Sequence, residues 1–126
     1  MSTTEAELVA LADCAIELLY IKTLLEFIGF EITGAILVET DSKGAHDLCH
    51  RVTAGPSSRH VERKVNKMRE LQREGKVSVT LIPTDENTAD IFTKVLDNAT
   101  FARHRATLYN VAARVHEAND AVEGGK

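Results

Sequence analysis

Two short apolar runs, Ile36-Leu37-Val38-Glu39-Thr40 and Val77 to Ile82, flank a basic segment, and this order constrains the fold more than any other feature of the chain. If residues 60–75 form a crossover helix, the runs become parallel strands of one β-α-β unit whose carboxyl ends share an edge. Asp41 closes the first run at that edge, and Asp90 reaches it through the loop Pro83-Thr84-Asp85-Glu86-Asn87. A first helix, roughly residues 3–28, must run antiparallel to the strand it precedes, which brings its start and Glu7 back to the same edge. About 21 helical residues at 1.5 Å each cover a little over 30 Å, a length that the extended segment from Ile32 to Asp41 can retrace. Three carboxylates are thus expected to converge. Oxygen-rich clusters of this kind suit Mg²⁺, which keeps waters and bridges to phosphates, so phosphoryl chemistry is the leading class.

The local signals agree with this order. Ser2-Thr3-Thr4-Glu5-Ala6-Glu7 holds two overlapping capping boxes, Ser2 with Glu5 and Thr4 with Glu7, ahead of the apolar positions Leu8, Leu11, Ala15, Leu18 and Leu25. Gly29 is expected to end that helix. Ser42 caps a short helix through about Arg51, and Thr53-Ala54-Gly55-Pro56-Ser57-Ser58 reads as a loop. Val61, Val65, Met68 and Leu71 give the basic helix its apolar stripe, with Gly75 at its end, and Val77, Val79 and Leu81 alternate as a strand should. A last helical region holds Ile91, Phe92, Val95 and Leu96, then Phe101, Leu108, Val111 and Val115 after a break near Asp97-Asn98. The expected organisation is one partial α/β domain over residues 1–117 and a flexible tail over 118–126.

Composition narrows the function classes. A chain of 126 residues with 44% hydrophobic and 27% charged residues is ordinary for one small globular domain. Cys14 and Cys49 match no disulfide or metal framework, and the N-terminus lacks a basic region followed by an apolar signal core, so the expected location is intracellular, cytoplasmic or nuclear. Asp13, Glu17, Lys22 and Glu26 interrupt the most hydrophobic helix, which argues against a membrane span. The net charge of -4 hides an asymmetry: residues 1–50 carry nine acids against Lys22 and Lys43, whereas residues 59–76 carry seven Lys and Arg against three Glu. Arg59, Arg63, Lys64 and Lys67 are the expected nucleic-acid contacts on that basic helix. No aromatic ladder accompanies them, so contact with a duplex backbone fits better than stacking on single strands.

The stretch Ser2-Thr3-Thr4-Glu5-Ala6-Glu7-Leu8-Val9-Ala10-Leu11 and the later Ala89-Asp90-Ile91-Phe92-Thr93-Lys94 closely resemble the ribonuclease H region that ends copia-type retrotransposon polyproteins. Thr40-Asp41-Ser42, Ser58-Arg59-His60-Val61 and Met68-Arg69-Glu70-Leu71 follow in the family's order, so the resemblance covers roughly residues 2–110. It implies a truncated ribonuclease H-like fold with two parallel strands and flanking helices, the family's first three strands and first catalytic Asp lying outside this chain. It also implies that Glu7 is the helix acid, Asp41 the fourth-strand acid and Asp90 the late acid of a two-Mg²⁺ site, with Glu5 a weaker stand-in for the first. The family cuts the RNA strand of an RNA–DNA hybrid and leaves 5′-phosphates. The implied partners are such a hybrid or another nucleic acid, and the upstream reverse transcriptase portion of a polyprotein.

Plainer roles compete for each residue. Glu7 can serve as a capping acid, Asp90 as a first-turn acid favoured by the helix dipole, and Asp41 as a turn former beside Ser42. Glu39 and Asp85, with Glu5, are the nearest acids able to replace a missing ligand. His46, Cys49 and His50 lie a turn apart, but three mixed ligands on one short helix rarely converge on zinc, so packing or surface roles are expected. The alternative to a hybrid ribonuclease fragment is an inactive remnant that binds nucleic acid or a partner chain.

Overall fold

A computed structural model describes residues 2–51 and 59–109, so the expected loop at 53–58, the positions Val111 and Val115, and the tail at 118–126 lie outside the described residues. The chain separates into two compact units, Met1–Ile82 and Pro83–Lys126.

The first unit opens with α1 (Thr3–Phe27). Its start is fixed by the Ser2–Glu5 capping box, in which Ser2 Oγ accepts from the Glu5 amide at 3.2 Å and Glu5 Oε2 accepts from the Ser2 amide at 3.0 Å. Its end is fixed by Gly29, whose φ of 103° disfavours other residues. From there the Gly29 amide reaches Glu26 O and the Phe30 amide reaches Leu25 O, closing a Schellman motif. Gly75 ends the basic helix α3 (Arg59–Arg73) in the same way, with φ 69° and bonds from Gly75 N to Gln72 O and Lys76 N to Leu71 O.

Between these helices come β1 (Ile36–Thr40) and the short α2 (Lys43–His50), and β2 (Val77–Leu81) follows α3. The strands pair in parallel, Ile36 opposite Val77 through Thr40 opposite Leu81, because the chain crosses back through α2 and α3 before re-entering the sheet. Alternation decides their faces. Val38, Thr40, Val77 and Val79 are buried, while Leu37, Glu39, Ser78 and Thr80 are exposed. The buried face meets Leu8, Leu11, Ala12 and Ala15 of α1, Ala45 and Cys49 of α2, and Val61, Val65, Met68 and Leu71 of α3 in a single core. The stripe read from the basic segment is thus the buried face of α3.

The apolar face of α1 is only partly used. Leu11 is buried, and Leu18, Leu25 and Ile36 are half-buried. Ile16, Tyr20, Ile21, Leu24 and Phe27 are exposed instead, as is Leu37 on the outer face of the sheet. The cause is geometric: the strands and the helices packed on them bury α1 fully only as far as Ala15, with Leu18 and Leu19 packed at the margin.

The second unit carries a 3₁₀ turn at Thr84–Glu86, another at Thr88–Phe92, and α4 (Asn98–Tyr109). A helix through Ile91, Phe92, Val95 and Leu96 was expected, but that stretch is a tight turn followed by irregular chain. Asn87 caps the turn through the Ala89 amide, and the backbone leaves helical geometry at Thr93 with φ -128°. The β-branched residues Ile91, Thr93 and Val95 give little helical preference to resist this. Asp97 then accepts from the Thr100 amide at 3.1 Å and starts α4 at the expected break. That bonding holds the Asp97 carboxyl below its usual range.

Candidate functional site

The carboxyl edge of the sheet is built from three local features. Asp41 follows the last residue of β1 and is half-buried, and the Ile82 amide donates to Thr40 O at 2.9 Å, so the ladder persists to this point. Ser42 then starts α2, its Oγ accepting from the Ala45 amide and its own amide donating to Thr40 Oγ1, each at 3.2 Å. Gly44, in the first turn of α2, lies against Thr4 in the first turn of α1. A Cβ built at Gly44 would stand 2.7 Å from Thr4 Cγ2 and 2.8 Å from its Oγ1. The start of α1 therefore sits at the edge where β1 finishes. Glu7 lies one turn beyond Thr4 and is exposed.

Two neighbouring acids have other local relations. Glu5 is engaged in the capping box, and Thr4 faces Gly44, so of the two boxes read from the sequence the one with Ser2 is formed. Glu39 is exposed on the outer side of β1.

Asp90 belongs to the second unit, where it is buried with 7% exposure. Its Oδ2 accepts from Lys94 Nζ at 3.0 Å and its Oδ1 lies 3.4 Å from Asn87 Nδ2. The Ala-Asp-Ile-Phe-Thr-Lys motif is thereby folded onto itself, with the acid and the lysine four residues apart closing the turn. Asp85 lies in the first 3₁₀ turn, and its carbonyl accepts from Arg103. Among the described residues, no group of three or more His, Cys, Asp or Glu side chains is arranged to hold a metal ion.

The basic helix is less available than its composition implied. Lys64 pairs with Asp13 of α1, and Lys67 pairs with Glu70 at 3.1 Å. Arg59 and Arg63 are exposed. The sequence reading placed no binding role on a second group of cations, Arg51, Arg69 and Arg73, which line a concavity with Cys49, His50 and Gln72. Arg69 and Arg73 stand four apart on α3, a signal visible in the sequence, but Arg51 joins them only through the packing of α2 on α3.

On α2 the histidines and the cysteine diverge. Cys49 is buried in the core, and burial pushes its thiol up to about 11 against a smaller opposing pull from the Arg69 guanidinium. His50 is exposed, with Nδ1 2.8 Å from His46 O, and the two imidazole rings lie 4.2 Å apart. Among the described residues no helix is long and apolar enough to cross a membrane.

Over 101 residues the chain is 31% identical to the retrovirus-related Pol polyprotein from transposon TNT 1-94 of Nicotiana tabacum. The match takes in 80% of this chain and 8% of that polyprotein, so the chain spans a small part of the relative it resembles. It is similar, then, to a region of a retrotransposon polyprotein. No protein-family model matches the chain, and no solved structure does.

Proposed function

We propose that this chain is the C-terminal part of a retrotransposon ribonuclease H domain and contributes to hydrolysis of the RNA strand of an RNA–DNA hybrid. One observation carries the reading: Thr4 in the first turn of α1 closely approaches Gly44, three residues after Asp41, which supports Glu7 and Asp41 as neighbours at the carboxyl edge of β1. The polyprotein similarity supports it.

The donors of the first unit fit Mg²⁺ in kind, because Glu7 and Asp41 offer only carboxylate oxygens. Magnesium bound there would supply water at lowered pKa and a clamp on phosphate oxygens. The chain's own residues do the positioning. Thr40 and Ser42 fix the backbone on both sides of Asp41 through the bond from Ser42 N to Thr40 Oγ1. The Ser2 cap fixes the first turn of α1, and with it the height of Glu7 along the edge. The resemblance implies one further carboxylate, which an upstream segment of the polyprotein would supply.

A second reading, an inactive strand-binding remnant, is favoured by the engagement of both Asp90 oxygens with Lys94 and Asn87. Cleavage of an end-labelled RNA–DNA hybrid in Mg²⁺ separates the two. The chain extended with an upstream three-strand segment of a matching polyprotein should cut, and Asp41→Asn or Asp90→Asn should abolish cutting. Undiminished cleavage in those variants refutes the carboxylate assignment, and no cleavage from the extended chain favours the remnant.

A further inference from the structure

The C-terminal turns of α2 and α3 meet around a concavity of about 370 Å³ lined by Cys49, His50, Arg51, Arg69, Gln72 and Arg73. Arg51, Arg69 and Arg73 line it, and among the described residues no carboxylate does. A helix C-terminus ordinarily repels anions, because its last carbonyls carry the negative end of the dipole. Here those carbonyls are covered. Arg69 donates through Nε and Nη2 to Leu48 O at 3.2 and 2.9 Å, and Gln72 Nε2 donates to Cys49 O at 3.2 Å.

These bonds place Arg69 without neutralising it, since its acceptor is an uncharged carbonyl and three of its five N–H groups remain. Acids near the concavity are matched to other cations, Glu70 to Lys67 and Glu74 to Lys76 at 2.9 Å. Asp47 lies 3.6 Å from Arg51, but the arginine of this pair is largely exposed, so the pair contributes little. Planar guanidinium groups are suited to bidentate contact with phosphate oxygens.

We infer that the concavity lined by Arg51, Arg69 and Arg73 is an oxyanion site that takes a phosphodiester of a bound RNA–DNA hybrid, apart from the carboxylate edge. The inference rests on the nucleic-acid reading above but not on its catalytic part. Arg51 and Arg73 are the reporters, because both are exposed and neither holds a core contact, whereas loss of Arg69 would also uncover the end of α2.

Binding of a fluorescein-labelled RNA–DNA hybrid to the full 126-residue chain in EDTA, at several salt concentrations, tests it without any need for cleavage. Each phosphate contact contributes about 0.9 to the slope of log affinity against log salt, or roughly tenfold in affinity at 50 mM salt. Losing its hold on one phosphodiester, the Arg51→Gln/Arg73→Gln variant should therefore bind about tenfold more weakly with a slope shallower by about 0.9, and the charge-matched Lys22→Gln/Arg105→Gln variant should lose much less. Equal losses in the two variants would show a general charge effect and overturn the site, as would an unchanged affinity in the first. Titration with inorganic phosphate, followed by NMR of the arginine Nε–H signals, distinguishes the source of the ligand. Phosphate binding with no loss of hybrid affinity in the Arg51/Arg73 variant overturns the strand assignment. Cleavage results for Asp41 and Asp90 bear on the catalytic reading alone.

Discussion

Gly44→Ala probes the contact on which the candidate site depends. The added Cβ would lie 2.7 Å from Thr4 Cγ2, 2.8 Å from Thr4 Oγ1 and 3.3 Å from Thr4 Cβ. Carbon atoms pack best at about 3.5–4.0 Å, so the first turns of α1 and α2 must separate by most of an ångström. Overpacking of this kind costs about 1–3 kcal/mol. Replacing Gly by Ala within a helix returns up to about 1 kcal/mol, and less in a first turn such as this. The expected net loss is about 1 kcal/mol, measurable as a lowered urea midpoint in circular dichroism at unchanged slope. Thr4→Ala supplies the control, because it removes the two closest atoms. In that background Gly44→Ala should be neutral or stabilising, giving a coupling of about 1 kcal/mol or more between the two positions. The same penalty in both backgrounds would show that Thr4 does not face Gly44, and the proposed shared edge of Glu7 and Asp41 would fall with it.

Met68→Ala, at a fully buried position where α3 meets the sheet and α1, should destabilise the chain by about 2–5 kcal/mol in the same denaturation assay. Cys14 should react with Ellman's reagent in the native chain while Cys49 reacts only on unfolding, since one thiol is exposed and the other buried. The Cys49 thiol titrates at about 11 when folded and at 9.0 ordinarily, so its protonated form is favoured by folding. That contribution is fully present below pH 9 and lost as pH rises toward 11, so the alkaline fall in Tm should be shallower in Cys49→Ala. Lys64→Ala should weaken hybrid binding less than Arg63→Ala, because Lys64 is already paired with Asp13.

Much of the first unit was legible because its signals are local. The stripe Val61, Val65, Met68 and Leu71 fixes the buried side of α3, Ser2 and Ser42 fix two helix starts, and Gly29 and Gly75 fix two ends. Once α3 joins two strands, chain direction alone orders Asp41 and the start of α1 on one edge. The failures share the opposite character. Lys64 and Asp13 are 51 residues apart, so the sequence showed a free cation where the fold makes an ion pair. The grouping of Arg51 with Arg69 and Arg73 likewise depends on helix packing, which no spacing rule records. In the second unit, the apolar residues from Ile91 to Leu96 looked helical because hydrophobic spacing was read without the competing turn that Asn87, Asp90 and Lys94 stabilise. The same turn explains why Asp90 is held by its own motif, a relation that the catalytic resemblance of Ala89 to Lys94 did not reveal.

The central claim is that Glu7 and Asp41 act at one place. Paramagnetic broadening of backbone amide signals by Mn²⁺, a stand-in for Mg²⁺ with the same preference for oxygen ligands, tests it in the full chain. The expected result is early and parallel loss of the Glu7, Asp41 and Ser42 signals, with those of Cys49 and Gln72 retained and the Glu7 effect reduced by Asp41→Asn. Broadening of Glu7 that is indifferent to Asp41→Asn, or equal broadening at every exposed acid, would contradict the account.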